Sequence, residues 1–288
     1  MIQRLEKEGF SVNKLCQYFE VSRSGYYQWK DTQKTEHEKQ DENLAKQVEE
    51  VFQKHRKRYG CVRVAKEIRK SGTPCSKRRV SRLMKSRGLE CVKRKSFRPK
   101  TTIRRKDELI APNRLENQPL PKKPNEVWVS DITYIPLEHG WVYLVVWMDL
   151  FSRMIVGWKI GEEMKTELVK SALEQAIQRR KPTEKITIHA DRGTQYTSRQ
   201  MQEYAKSEGL IQSMSSTGYC FDNAHVESFW STLKNETIPE RGYFLDFHEA
   251  RMCLFEYLEG YYNRTRLHSS LGYLSPLSFE QKQTVGTN

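Results

Sequence analysis

Paired cysteines, long apolar runs and acidic residues in the first half are what this 288-residue chain lacks. Its six cysteines (Cys16, Cys61, Cys75, Cys91, Cys220 and Cys253) are scattered and never spaced as CxxC. That speaks against a zinc ribbon and a disulfide framework, and suits a reducing compartment. The longest apolar run, Trp141 to Phe151, is too short to cross a bilayer and is interrupted by Asp149. The opening stretch, MIQRLEKEGF, holds no apolar core, so no signal peptide is expected. Acids are scarce early: residues 1–125 hold 15 Asp and Glu against 33 Lys and Arg, whereas 126–288 hold 21 against 17. The net charge of +14 is therefore a strongly basic front joined to a slightly acidic rear. A nucleic-acid grip attached to a metal-dependent catalytic core has that distribution. With 37% hydrophobic and 30% charged residues, the chain should fold into one large or two to three small globular domains.

What is present centres on Ile186 to Lys234. An apolar run, ITIHA, stops on Asp191 and a glycine, and DNAHVESFWSTLK reads as a helix start that Asp222 or Asn223 could cap. Val226, Phe229, Trp230 and Leu233 recur at i, i+3, i+4 and i+7, an apolar packing stripe. Glu227, Ser231 and Lys234 fall on the neighbouring face, with 35 residues between Asp191 and Glu227. Upstream, Asp131 lies inside the strand-like VWVSDITYIPL. Asp131, Asp191 and Glu227 are thus candidate ligands for divalent metal. Hard cations such as Mg²⁺ take oxygen ligands and keep several waters, so two or three carboxylates from different elements suffice. Two such ions about 3.5–4 Å apart can activate an attacking oxygen and stabilise the leaving one.

Taken in order, residues 1–43 read as a helical, helix-turn-helix-like segment, a small structural bundle or a DNA reader. Ser11 is expected to cap a helix with Val12, Leu15, Cys16 and Phe19 on one face. Within the segment, 31–43 is charged and aperiodic, a linker or a solvated helix face. Residues 44–91 are expected to form a basic helical domain whose charge is either a solvated face or, as favoured here, a DNA-binding one. Its third helix is capped by Ser76 and stopped by Gly88, and carries Lys77, Arg78, Arg79, Arg82 and Lys85 outward with no acid among them. Residues 92–125 are expected to be a basic linker punctuated by Pro112, Pro119, Pro121 and Pro124, either a spacer or a lining that tracks a phosphate backbone. From Glu126 the pattern turns to strands: a hairpin around Glu138–Gly140, a second strand apolar enough to be buried on both faces, and a third, RMIVGWKI. An αβαβα run follows, which makes 126–240 a mixed α/β sheet flanked by helices, completed by a helix and tail over 241–288. Trp128, Trp141 and Trp158 read as core.

Five stretches, WVSDITYI, DLFSRMIVGW, HADRGTQYTS, DNAHVESFWSTLK and YNRTRLHSSLGYLSP, together closely resemble the transposases of insertion-sequence family three, specifically their second-reading-frame product. That group is similar to retroviral integrases, and the resemblance covers nearly the whole chain. It implies a ribonuclease H-like five-stranded core, with Asp131, Asp191 and Glu227 as the catalytic triad holding Mg²⁺ or Mn²⁺, two ions in all. Lys234 matches a family cation that contacts DNA near the cut. The implied reaction is hydrolysis at the element's end followed by attack of the freed 3′-hydroxyl on another strand. The implied partners are double-stranded DNA, further copies of the chain in a synaptic complex, and the first-reading-frame product as fusion or partner. No membrane is expected; the implied location is the bacterial cytoplasm, at the nucleoid. Related integrases often carry a zinc-binding His/Cys domain, and the missing cysteine pairs here lead to an expectation of no zinc. A structure-specific nuclease that cuts without rejoining, and an inactive DNA-binding regulator, are the competing functions. Among other residues, Asp149 should cap its strand or pair with Arg153, and His189 should pack or position Asp191. Gln195 and Tyr196 are candidates to touch substrate. Arg264, Arg266 and His268 either brace the core or hold DNA.

Overall fold

Six helices and then a mixed sheet follow one another along the chain in the computed structural model, which describes residues 1–31, 35–92, 110–116, 118–215 and 224–285. They divide into two units, 1–91 and 92–288. In the first unit, α1 (Ile2–Lys7), α2 (Val12–Tyr18) and α3 (Arg23–Asp31) are short. Ser11 has extended backbone ahead of α2, but its side chain makes no capping hydrogen bond. Next come α4 (Glu36–Lys54), α5 (Cys61–Lys70) and α6 (Lys77–Ser86). The charged stretch after Thr35 is the start of α4, not a linker. Thr35 accepts from the Glu38 amide while the Glu38 carboxylate reaches back to Thr35, a reciprocal cap that starts a helix without any apolar period. Leu44, Val48 and Phe52 of α4, Val64, Ala65 and Ile68 of α5, and Val80, Leu83 and Met84 of α6 are buried together on the inward faces. Ser76 caps α6 by accepting from the Arg79 amide, and Gly88 follows that helix with φ +63°.

The second unit is built on five strands, β1 (Val127–Pro136), β2 (Trp141–Asp149), β3 (Ile155–Gly161), β4 (Thr187–Ala190) and β5 (Ile211–Met214), in the order β3-β2-β1-β4-β5. The first three run antiparallel, while β4 pairs parallel with both β1 and β5. Helix α7 (Thr166–Arg180) links β3 to β4, and α8 (Thr194–Thr197) and α9 (Arg199–Ser207) link β4 to β5. Beyond β5 come α10 (Ala224–Thr237), α11 (Phe247–Phe255) running into a π-helical stretch over Glu256–Tyr262, and α12 (Pro276–Val285).

Alternation along the strands feeds two cores. Val129, Ile135, Val142, Leu144 and Val146 point to one face and meet Val226, Phe229, Trp230 and Leu233 of α10 with Ala250 and Leu254 of α11. Trp128, Val145, Trp147 and Val156 point to the other and meet Val169, Ala172, Leu173 and Ala176 of α7. Strand β2 is therefore buried on both sides, as its composition requires. Trp128 and Trp158 are core, but Trp141 is not: it is 59% exposed. It opens β2 at the hairpin, beyond the covering helices, where it packs edge-on against Tyr134 and donates to the Tyr143 hydroxyl.

Most of the stretch 92–125 lies outside the described residues. Part of what is described is attached to β5, where the Arg114 amide donates to the Ser213 hydroxyl at 2.9 Å. No described helix is long and apolar enough to cross a membrane.

Candidate active site

Parallel pairing determines where the two aspartates stand. Val127 pairs with Thr187 and Val129 with His189. Carried two residues further, that register brings Asp191, just past the end of β4, beside Asp131 in the sheet's middle strand. Neighbouring strands lie about 4.8 Å apart, so two carboxylates at one level feel each other strongly. Asp191 leaves the sheet into a tight turn, its carboxylate accepting from the Gly193 amide at 2.9 Å. A Cβ at Gly193 would stand 3.0 Å from that carboxylate oxygen and 3.2 Å from the Gln195 amide oxygen, so a side chain there would have to displace the Asp191 carboxylate or the Gln195 amide slightly.

The third acid comes from α10. Glu227 is exposed, one helical turn before Trp230, and the Trp230 indole N–H donates to Asp131 Oδ2 at 2.8 Å. Asp131 Oδ1 accepts from the Ile132 amide, also at 2.8 Å. Burial, then the Asp191 and Glu227 charges, push the Asp131 carboxyl up to about 7, against the pull of the two donors. Burial also raises Asp191, and the Gly193 N–H opposes the rise. Lys234, two turns beyond Glu227, is lowered by burial to about 8, with the Asp131 charge holding it up. Among the described residues no three His, Cys, Asp or Glu side chains are drawn together tightly enough to hold an ion as they stand. What the geometry supplies is an aspartate pair with a third acid and a lysine in electrostatic reach.

Two family models for an integrase core domain match residues 121–220 and 208–276, and one for an HTH-like domain matches 39–97. The chain is 38% identical to a 31 kDa protein of insertion element IS600 from Shigella sonnei, over 93% of this chain and 98% of that one. It is 36% identical to the transposase InsF of insertion sequence IS3A from Escherichia coli K12, over 95% of both. The chain belongs to the IS3 family of insertion-sequence transposases. The HTLV-2 integrase catalytic core, solved in complex with magnesium, is 18% identical and overlaps with a TM-score of 0.43 over 55% of this chain and 98% of that one. In this transposase chain the integrase-core matches fall on the mixed sheet and the helices that follow it, and the HTH-like match falls on α4, α5 and α6.

That basic helix α6 is better balanced than its own sequence suggests. Lys77, Arg78, Arg82 and Lys85 are exposed and Arg79 is half-buried. Asp41 of α4 accepts from Arg79 at 2.6 Å and pairs with Arg82, and the two arginines hold its carboxyl below the usual range. The acid missing from α6 is supplied 38 residues earlier.

The remaining candidates are held by neighbours of their own. Asp149 is wholly buried and accepts from the Asn125, Phe151 and Ser152 amides, so it organises the β2–β3 turn. His189 is buried between the Ser213 and Ser215 hydroxyls. Tyr196 is buried too, its hydroxyl sharing a 2.8 Å hydrogen bond with Ser130, while the Gln195 amide donates to the Met164 carbonyl. Arg266 is buried against Glu236, and His268 packs edge-on to Tyr262; Arg264 is exposed and donates to the Glu259 carbonyl. Asp222 and Asn223, expected as caps for α10, lie outside the described residues. Sequence reasoning missed Trp230 as a polar partner of Asp131, because its place in the apolar stripe explained it already.

Proposed function

We propose that this chain cleaves DNA at insertion-sequence ends and joins the freed 3′-hydroxyl to another strand, with Asp131, Asp191 and Glu227 as ligands for magnesium. The observation that carries the reading is the parallel register of β1 and β4, which sets Asp191 beside Asp131, with Glu227 one turn before the α10 tryptophan that donates to Asp131. Acids crowded in this way repel one another unless a cation joins them. The donor set fits a hard ion, since all three groups are carboxylates, and manganese would serve in magnesium's place. Two ions there would supply activation of the attacking oxygen and stabilisation of the leaving one.

The chain's own residues do the rest. Asp131 on the middle strand, Asp191 on its tight turn and Glu227 on α10 orient the scissile phosphodiester from three rigid elements. Lys234, still mostly protonated at neutral pH, meets the phosphate beside the cut. Water's oxygen bonds to phosphorus as the bond to the 3′-oxygen breaks, leaving a 3′-hydroxyl and a 5′-phosphate. That hydroxyl then bonds to phosphorus in a second strand, displacing a 3′-oxygen, so the number of phosphodiester bonds is conserved in the joining step. Lys77, Arg78, Arg79, Arg82 and Lys85 of α6 hold double-stranded DNA through its phosphates, Arg79 and Arg82 in exchange for Asp41. Joining two element ends calls for more than one copy of the chain, with the first-reading-frame product as fusion or partner.

Incubating the purified chain with labelled element ends and magnesium tests the reading. Joined products are expected; nicking without joining indicates a nuclease, and binding without either a regulator. Asp191→Asn should lose cutting and keep DNA binding, and unchanged cutting by that variant removes the triad.

A further inference from the structure

Helix α10 carries Glu227, Trp230 and Lys234 at i, i+3 and i+7, so the three side chains line one stripe of its surface. Of these, only Trp230 is buried, and its indole N–H donates a 2.8 Å hydrogen bond to Asp131 Oδ2 on β1. The bond is not needed to dock the helix. Val226, Phe229 and Leu233 on the same helix are buried in the core between α10 and the sheet and would hold it there without any polar contact. Nor is it needed to bury the indole, whose ring stands 4.9 Å from Phe229. What the N–H adds is a fixed registration of α10 on β1 at the level of the acids.

We infer that Trp230 is a positioning residue that orients the Asp131 carboxylate for metal and sets Glu227 at the matching height. The inference rests on the metal-triad reading above. Each carboxylate oxygen offers two lone pairs. With Ile132 on Oδ1 and Trp230 on Oδ2, each oxygen has one lone pair committed and one left for a cation, and the carboxyl plane cannot swing. Groups that orient a metal ligand in this way typically change metal affinity 10- to 100-fold when removed.

The test is Mn²⁺ binding by electron paramagnetic resonance, on the full chain, with Trp230→Phe and with benzothienylalanine at position 230, which keeps the ring shape and deletes the donor. Both are expected to weaken Mn²⁺ binding roughly 10-fold or more. Magnesium in excess should restore the turnover number of both, with the loss residing in the apparent metal constant and the KM for DNA unmoved. A merely structural tryptophan would lower the melting temperature of Trp230→Phe and leave metal affinity as in wild type for the benzothienyl variant; that result overturns the inference. Asp131→Asn is the control: if it too binds Mn²⁺ normally, the triad fails and not Trp230 alone. If it loses the metal while the benzothienyl chain does not, the triad stands and the positioning role falls.

Discussion

Asp131→Asn should make the metal-free protein more stable at alkaline pH and less stable in acid, with a crossover between. The Asp131 carboxyl ionises at 3.8 in an unfolded chain and at about 7 in the folded one. Between those values the folded chain holds a proton that the unfolded chain has released, so stability from this group falls as pH rises and is fully lost above about 7. At about 1.4 kcal/mol per tenfold, the separation corresponds to about 4 kcal/mol withheld from the fold at pH 8. Asparagine removes that burden but offers one acceptor where two N–H groups, of Ile132 and Trp230, now point. Leaving one of them unmatched costs about 1–2 kcal/mol at every pH. The net gain at pH 8 is then about 2 kcal/mol, or roughly 4–8 °C in Tm for a unit of this size. At pH 4 the gain is gone and the variant should melt below wild type. Thermal denaturation in chelator from pH 4 to 8.5 measures both limbs. Magnesium should raise the Tm of wild type at pH 8 by mass action and leave the variant where it was. An asparagine variant that melts below wild type at every pH refutes the premise that burial and two neighbouring acids oppose this carboxylate's charge.

Arg266→Ala should cost about 3–5 kcal/mol in urea denaturation, because it strands Glu236 in a site where the pair's side chains are only 6% and 10% exposed. Adding Glu236→Leu to Arg266→Met should recover most of that, and a single-variant loss below about 1 kcal/mol would show the site to be wetter than its geometry implies. Replacing Lys77, Arg78 and Lys85 together by alanine should flatten the dependence of log affinity for DNA on log salt by about 3, and an unchanged slope would remove α6 from the phosphate contacts.

Apolar period explains most of what could be read in advance. Strand β2 is apolar on both faces and is sandwiched between two cores, while α10 has its stripe at helical spacing and is docked by it. Trp141 defied the same logic, since a strand residue beyond the last covering helix has nothing to be buried against. The failures share a cause. Asp41 answers Arg79 and Arg82 across 38 residues and more, and Glu236 answers Arg266 across 30. Periodicity reports which face of an element is turned inward; it carries no record of which polar group waits on the other side.

Helix α10 shows where that limit bears on function. Its apolar stripe and the stripe proposed for metal and DNA overlap at a single side chain, Trp230, whose ring belongs to the core and whose N–H belongs to Asp131. A tryptophan is suited to both because it is a large apolar body with one donor at its edge. Phenylalanine would satisfy the period equally well and leave Asp131 Oδ2 without its indole donor. The choice between the two rings is therefore made by the aspartate on β1, not by the packing of α10. An indole N–H facing a strand-borne acid is thus a signature to seek wherever a helix packs on a sheet through an otherwise apolar stripe.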